Sequence, residues 1–133
     1  MELWKEIEEL KKAETFPQNK EFKNMTFVQY LENCKQRHPR EAKSIRKNTL
    51  IDANYLYQIT SGIRNPGKDK VLQIALALHL KTEETNILLA LSKNPMLLPS
   101  QTRDAIFIFA LEHELSLEET NNLLLNHSLS LLF

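Results

Sequence analysis

The stretch Asn54-Tyr55-Leu56-Tyr57-Gln58-Ile59-Thr60-Ser61-Gly62-Ile63-Arg64-Asn65-Pro66 decides how the chain is read. It predicts a short helix that ends on glycine and passes into a basic turn. At helical spacing Leu56 and Ile59 share one face, while Asn54, Tyr57, Gln58 and Ser61 share the opposite one. Gly62 is the natural left-handed stop, and Pro66 keeps the chain extended before a further helix from Asp69. A polar face with two amide side chains, followed by Arg64, points to nucleic acid and away from catalysis.

Outward from this stretch the charge is uneven. Lysines and arginines balance aspartates and glutamates at 17 each. Between Lys35 and Lys70, however, nine bases (Lys35, Arg37, Arg40, Lys43, Arg46, Lys47, Arg64, Lys68 and Lys70) face three acids (Glu41, Asp52 and Asp69). The flanks are acidic, with five bases against seven acids before the block and three against seven after it. A basic patch on an acidic body would attract phosphate on one side and repel it on the others, orienting the molecule.

Length and composition bound the rest. A chain of 133 residues accommodates a single compact domain or one domain with an appendage. No apolar run reaches the length of a membrane span, and no secretory leader is evident, so a cytoplasmic protein without membrane contact is expected. The lone Cys34 shares an apolar helical side with Phe27 and Leu31 and reads as a packed thiol. His38, His79, His113 and His127 lack metal-ligand spacing, and with only Gly62 and Gly67 there is no phosphate-cradling loop, so neither cofactor, metal nor catalytic residue is expected. Glu112-His113-Glu114 reads as a solvated helix end, because consecutive helical residues point in different directions.

Three-and-four spacing of apolar residues predicts an all-α chain of about seven helices. The first, over Glu2 to Ala13, carries Leu3, Ile7 and Leu10 with Trp4 beside them, and breaks at Phe16-Pro17. Thr26 and Gln29 form a capping box for a second helix ending near His38-Pro39. Short helices are expected over Glu41 to Asn48 and from Asp52, an N-cap, to Ser61. From Asp69 the sequence repeats: residues 69–91 align without a gap on 104–126, matching at ten of 23 positions. Each copy predicts a helix, a corner and a second helix, capped by Thr82 in the first copy or Ser116 in the other. Two copies lacking the signature spacing of tryptophan, glycine and tyrosine do not make a tetratricopeptide solenoid. The second copy is expected to stack on the first and extend its core. The expected division is 1–23, an N-terminal amphipathic helix and linker; 24–98, a DNA-binding domain; and 99–133, the second helical pair.

Residues from about Thr26 to Ser92 resemble the Cro/C1-type helix-turn-helix domain of the XRE family of regulators. The likeness is closest over Tyr55 to Leu80, through the Gly62-Ile63-Arg64-Asn65-Pro66 turn and the Lys70-Val71-Leu72-Gln73-Ile74-Ala75-Leu76 helix. It implies a lambda-repressor-like bundle, here extended by the duplicated pair, and a transcriptional regulator whose recognition helix enters the major groove of double-stranded DNA. On that resemblance Ala53, Asn54 and Gln58 match base-reading positions, and Arg64 and Lys68 match positions that grip phosphate. The amides of Asn54 and Gln58 suit bidentate pairing with adenine. Lys43 and Lys47 add backbone contacts, and the Tyr57 hydroxyl can reach sugar or phosphate. Two positions depart from the family. Arg46 stands where a small residue is usual, and Leu50 where the turn usually has glycine: either Leu50 is left-handed, at a strain of about 1 to 2 kcal/mol, or the turn is longer, with Ala42 making the close helix contact. His79 and Glu114 likewise stand at corners where glycine is usual.

A homodimer reading two half-sites is expected. Both the N-terminal helix and the leucine-rich tail from Leu123 to Phe133 are candidate surfaces for dimerisation or for a protein partner, the tail with some preference for its own core. The alternative to a DNA-binding regulator is a helical adaptor that kept the fold and binds protein; zero net charge and the tyrosines on the reading helix favour it.

Overall fold

In the computed structural model, which describes residues 24–133, seven α-helices follow one another and no strand occurs among the described residues. The chain is all-α. The helix expected over Glu2 to Ala13 lies outside the described residues.

Helix α1 (Phe27–Arg37) opens on the expected capping box: Thr26 Oγ1 accepts from Gln29 N at 3.1 Å, and Gln29 Oε1 accepts from Thr26 N at 3.0 Å. Phe27, Tyr30, Leu31 and Cys34 form its buried stripe. Pro39, which fits the first turn of a helix but not its interior, starts α2 (Pro39–Ala42). Here the structure corrects the expected helix over Glu41 to Asn48. After one turn the chain runs through successive turns to Asn48, with Ser44 N bonded to Glu41 O and Asn48 N to Ser44 O, both at 3.0 Å. From Pro39 to Asn48 only Ala42 and Ile45 among the side chains are both apolar and turned toward the core, too small a stripe to hold a helix that short.

Helix α3 (Ala53–Thr60) is capped by the Asp52 carboxylate, which accepts from Asn54 N at 3.2 Å and Tyr55 N at 3.3 Å. It stops at Gly62, whose φ of +85° is left-handed and whose added Cβ would meet Val28 Cγ2 of α1 at 3.4 Å. Asn65 Nδ2 donates to Ser92 O and Asn94 Nδ2 to Pro66 O, at 2.8 and 2.9 Å, fastening the turn after α3 to the end of a later helix.

The remaining helices are α4 (Lys68–Ala77), α5 (Thr82–Leu91), α6 (Thr102–Glu112) and α7 (Leu117–Asn126). Helix α4 is the axle of the fold: Val71 through Ala77 are all buried, and it packs on α5, α6 and α7. Helix α6 is buried in the same way from Asp104 through Leu111. Helix α1 packs on α3 and α5, so α3 is held from the core side by α1.

The repeat seen in the sequence is also geometric. Asn86 Oδ1 accepts from Leu97 N at 2.8 Å, and Asn121 Oδ1, 35 residues on, accepts from Leu132 N at 2.8 Å. The corners match too: His79 and Glu114 have φ of 57° and 54°, and Lys93 and Ser128 have 62° and 57°. The two copies meet reciprocally, as partners do across a two-fold axis. Lys68 Nζ lies 3.1 Å from Asp104 Oδ1, and Arg103 Nη1 lies 3.2 Å from Asp69 Oδ1. The tail packs on its own chain, with Leu124 and Leu132 buried and Leu129 and Leu131 partly so.

Candidate nucleic-acid interface

Exposure divides α3 as its sequence periodicity does. Ile59 is fully buried, Tyr55 and Leu56 are partly buried against the core, and Asn54, Tyr57 and Ser61 face solvent, flanked by the half-exposed Ala53 and Gln58. Four of the expected base-reading or backbone-contacting residues, Ala53, Asn54, Tyr57 and Gln58, thus lie on one outward face. Tyr57 is 63 % exposed.

Arg64 joins this face from beyond the glycine. Its Nε donates to Gln58 Oε1 at 3.0 Å, and its guanidinium lies 5.1 Å from the centre of the Tyr55 ring. Lys70 Nζ lies over the same ring at 5.8 Å, so Tyr55 carries two cations along the Gln58 edge of the helix. The bond from Arg64 fixes which end of the Gln58 amide is oxygen. One oxygen lone pair and both amide hydrogens stay available, enough for a bidentate pair with a base.

The nine bases of the central block separate into two sets. Lys35 pairs with Glu32 at 3.4 Å, Arg37 with Glu84 at 2.9 Å and Lys68 with Asp104 at 3.1 Å, while Lys70 donates to the main-chain oxygen of Phe133 at 2.7 Å. Arg40, Lys43, Arg46, Lys47 and Arg64 are exposed and have no acidic partner among the described residues. Three of these five, Lys43, Arg46 and Lys47, fall in the turns leading to α3, and Arg40 lies just before them in α2. Lys68, matched by resemblance to a phosphate-gripping position, is instead spent on tying the two copies of the repeat together. Arg40 and Arg46, absent from the expected site, belong with Lys43 and Lys47; their signal in the sequence was the high ratio of base to acid over 40–47.

The residues expected to be unusual at the first turn have a plain outcome. Arg46 is exposed rather than set between helices, and Ala42, with the buried Ile45, faces the core in its place. Leu50 is not left-handed. The turn is longer, and Leu50 N donates to Oε1 of the buried Gln73 at 2.8 Å while the Leu50 side chain stands 62 % exposed. His79 and Glu114, in contrast, do take the left-handed corner conformation.

Behind the basic turns, Arg37 Nη2 reaches Tyr30 Oη at 3.3 Å, Cys34 Sγ at 3.3 Å and Glu84 Oε2 at 2.9 Å, locking α1 to α5. Burial pushes the Cys34 thiol up to about 11 and the Tyr30 phenol up to about 12, so neither ionises near neutrality. No helix among the described residues is long and apolar enough to cross a membrane. No family model, curated protein or solved structure matches the chain.

Proposed function

We propose that the protein is a DNA-binding transcriptional regulator that lays the outward face of α3 in the major groove. The observation that carries this reading is the adjacency of two surfaces. A run of four cations without an acidic partner among the described residues, Arg40, Lys43, Arg46 and Lys47, leads directly into a capped helix whose exposed face is Asn54, Tyr57 and Ser61, with Gln58 and Arg64 along one edge. In this arrangement the cations and Arg64 neutralise phosphates and set the register, which carries no sequence information. Asn54 and Gln58 read base edges, each bidentate pair discriminating by about 1 to 3 kcal/mol. Ala53 and the Tyr57 ring suit thymine methyl groups. One short helix gives modest affinity, so a homodimer on two half-sites about 34 Å apart completes the reading.

A helical adaptor is the second reading, favoured by a specific feature: Leu50, Tyr57 and Ile63, all near α3, are each more than 60 % exposed. Aromatic and apolar side chains of this kind also suit a protein interface. Fluorescence anisotropy with the chain's own upstream region and with a scrambled duplex separates the two. A regulator prefers the first duplex at physiological salt, and reversing Lys43 and Lys47 to Glu lowers the slope of log affinity against log salt by about 0.9 per lost contact. Equal, weak binding to both duplexes that vanishes at physiological salt favours the adaptor.

A further inference from the structure

Helix α4 buries one side chain that its packing does not call for. From Val71 to Ala77 every residue is buried, and Gln73 alone among them is polar, with no exposed surface. The matching position of the second copy, 35 residues on, is Ile108, likewise buried. A buried amide costs free energy unless its hydrogen bonds are made, so an aliphatic side chain fills such a place at less cost. Both ends of the Gln73 amide are bonded. Oε1 accepts from Leu50 N at 2.8 Å, and Nε2 donates to the main-chain oxygen of Phe133. Because the first partner can only donate and the second only accept, the orientation of the amide is fixed.

We propose that Gln73 is a positioning residue that sets the presentation of α3 to DNA, an inference that rests on the reading of α3 as the base-reading helix. Leu50 lies two residues before Asp52, the N-cap of α3, so its N–H is held at the helix entry. Its side chain stands 62 % exposed and does little to anchor the turn. The buried Ile51 fixes the turn at one point, and the bond to Gln73 supplies a second, without which the entry can pivot. The body of α3 rests on α1; this bond ties its entry to α4. A helix of eight residues is about 12 Å long, so a pivot of about 10° at its entry displaces its far end by about 2 Å. Base hydrogen bonds tolerate only about 0.5 Å, whereas long cationic side chains on phosphates follow such a shift. Losing the bond therefore removes sequence preference before affinity. Neither partner is stranded by the loss: Phe133 O keeps Lys70 Nζ at 2.7 Å, and the N–H of Leu50, an exposed residue, reaches water.

The test compares Gln73→Ile, which copies the second repeat, with Gln73→Glu, which keeps an acceptor for Leu50 N and loses the donor to Phe133 O. In the unaltered full chain the Leu50 amide, although on an exposed turn residue, is expected to exchange with solvent about tenfold or more slower than in the unfolded chain. Gln73→Ile abolishes that protection and Gln73→Glu retains it. Anisotropy is then read on a duplex selected by the unaltered protein and on its scrambled counterpart. Gln73→Ile lowers the preference by about 10- to 100-fold and leaves low-salt binding and the urea midpoint unchanged. Gln73→Glu buries a carboxylate and has the lower urea midpoint of the two, yet keeps the preference. A purely structural role makes preference follow stability across the two variants, and that order overturns the proposal. So does an unprotected Leu50 amide in the unaltered protein, or a preference that survives Gln73→Ile. Absence of any preference in the unaltered protein, with its Leu50 amide protected, refutes the DNA reading itself and the positioning role with it.

Discussion

Lys68 Nζ donates to both carboxylate oxygens of Asp104, at 3.1 and 3.2 Å, and so joins the N-terminus of α4 to that of α6. The pair is mostly withdrawn from water, with side chains 23 % and 10 % exposed. Removing Lys68 strands a nearly buried carboxylate, although Asp104 Oδ2 keeps the N–H of Leu98 at 3.0 Å. Lys68→Gln is therefore expected to cost about 2 kcal/mol, below the range for a fully buried pair, measured by urea denaturation. The same variant leaves the salt dependence of DNA binding unchanged. A decrease in salt slope by about one contact's worth would return Lys68 to the phosphate-binding set.

Glu112 is the second structural carboxylate of the repeat. Its substitution by alanine leaves Thr82, only 3 % exposed, without an acceptor for its hydroxyl and its N–H. A loss of about 1 to 2 kcal/mol is expected, with Glu112→Gln retaining part of it because an acceptor oxygen remains. Equal losses for the two variants would mean that the charge, and not the hydrogen bonds, stabilises the junction.

Left-handed positions give predictions of opposite sign. Lys93 holds a φ of 62° while its side chain is exposed, so Lys93→Gly relieves strain of order 1 to 2 kcal/mol and loses part of that to unfolded-chain entropy. A net gain of a few tenths to about 1 kcal/mol is expected from these two terms. Gly62→Ala adds a side chain at φ +85° with Val28 Cγ2 at 3.4 Å and is expected to lower stability by about 1 to 2 kcal/mol. Thermal unfolding of both variants checks the pair, and a stabilised Gly62→Ala contradicts the account of how α3 stops.

The Cys34 thiol sets an alkaline limit. Desolvation raises it to about 11, from an ordinary value near 9, so the folded chain holds this proton at pH values where the unfolded chain has released it. Stability from this source is complete below about pH 9 and falls as pH rises toward 11. The unaltered chain is expected to lose stability between those values more steeply than Cys34→Ala. Tyr30, raised to about 12, adds a further loss above pH 10 in both proteins. Parallel stability curves for the two proteins over pH 9 to 11 would contradict the burial argument.

Much of the fold could be read from local chemistry. Thr26 with Gln29, Asp52 and Gly62 mark helix ends through bonds within a few residues, and all three act as their sequence context implies. Of the two caps expected for the repeat, Ser116 forms its box with Glu119, whereas Thr82 sits one residue inside α5 and serves Glu112. The partition of α3 into an apolar and a polar face followed from period alone. What the sequence withheld depends on long-range partners. Nothing near Lys68 announces Asp104, and nothing near Leu50 announces Gln73, whose buried amide accepts from Leu50 N and donates to the main-chain oxygen of Phe133. The helix expected over Glu41 to Asn48 from apolar spacing shortened to one turn because only Ala42 and Ile45 among its side chains are apolar and face the core.

The central claim is that the outward face of α3 reads base sequence. Selection of binding sites from a random duplex library by the full chain, followed by anisotropy at physiological salt on the selected and scrambled duplexes, tests it most directly. The account predicts a two-half-site consensus preferred by about a thousandfold or more, and loss of that preference in an Asn54→Ala, Gln58→Ala variant whose low-salt binding persists. Failure to enrich any consensus, or a preference that survives the double substitution, would contradict it.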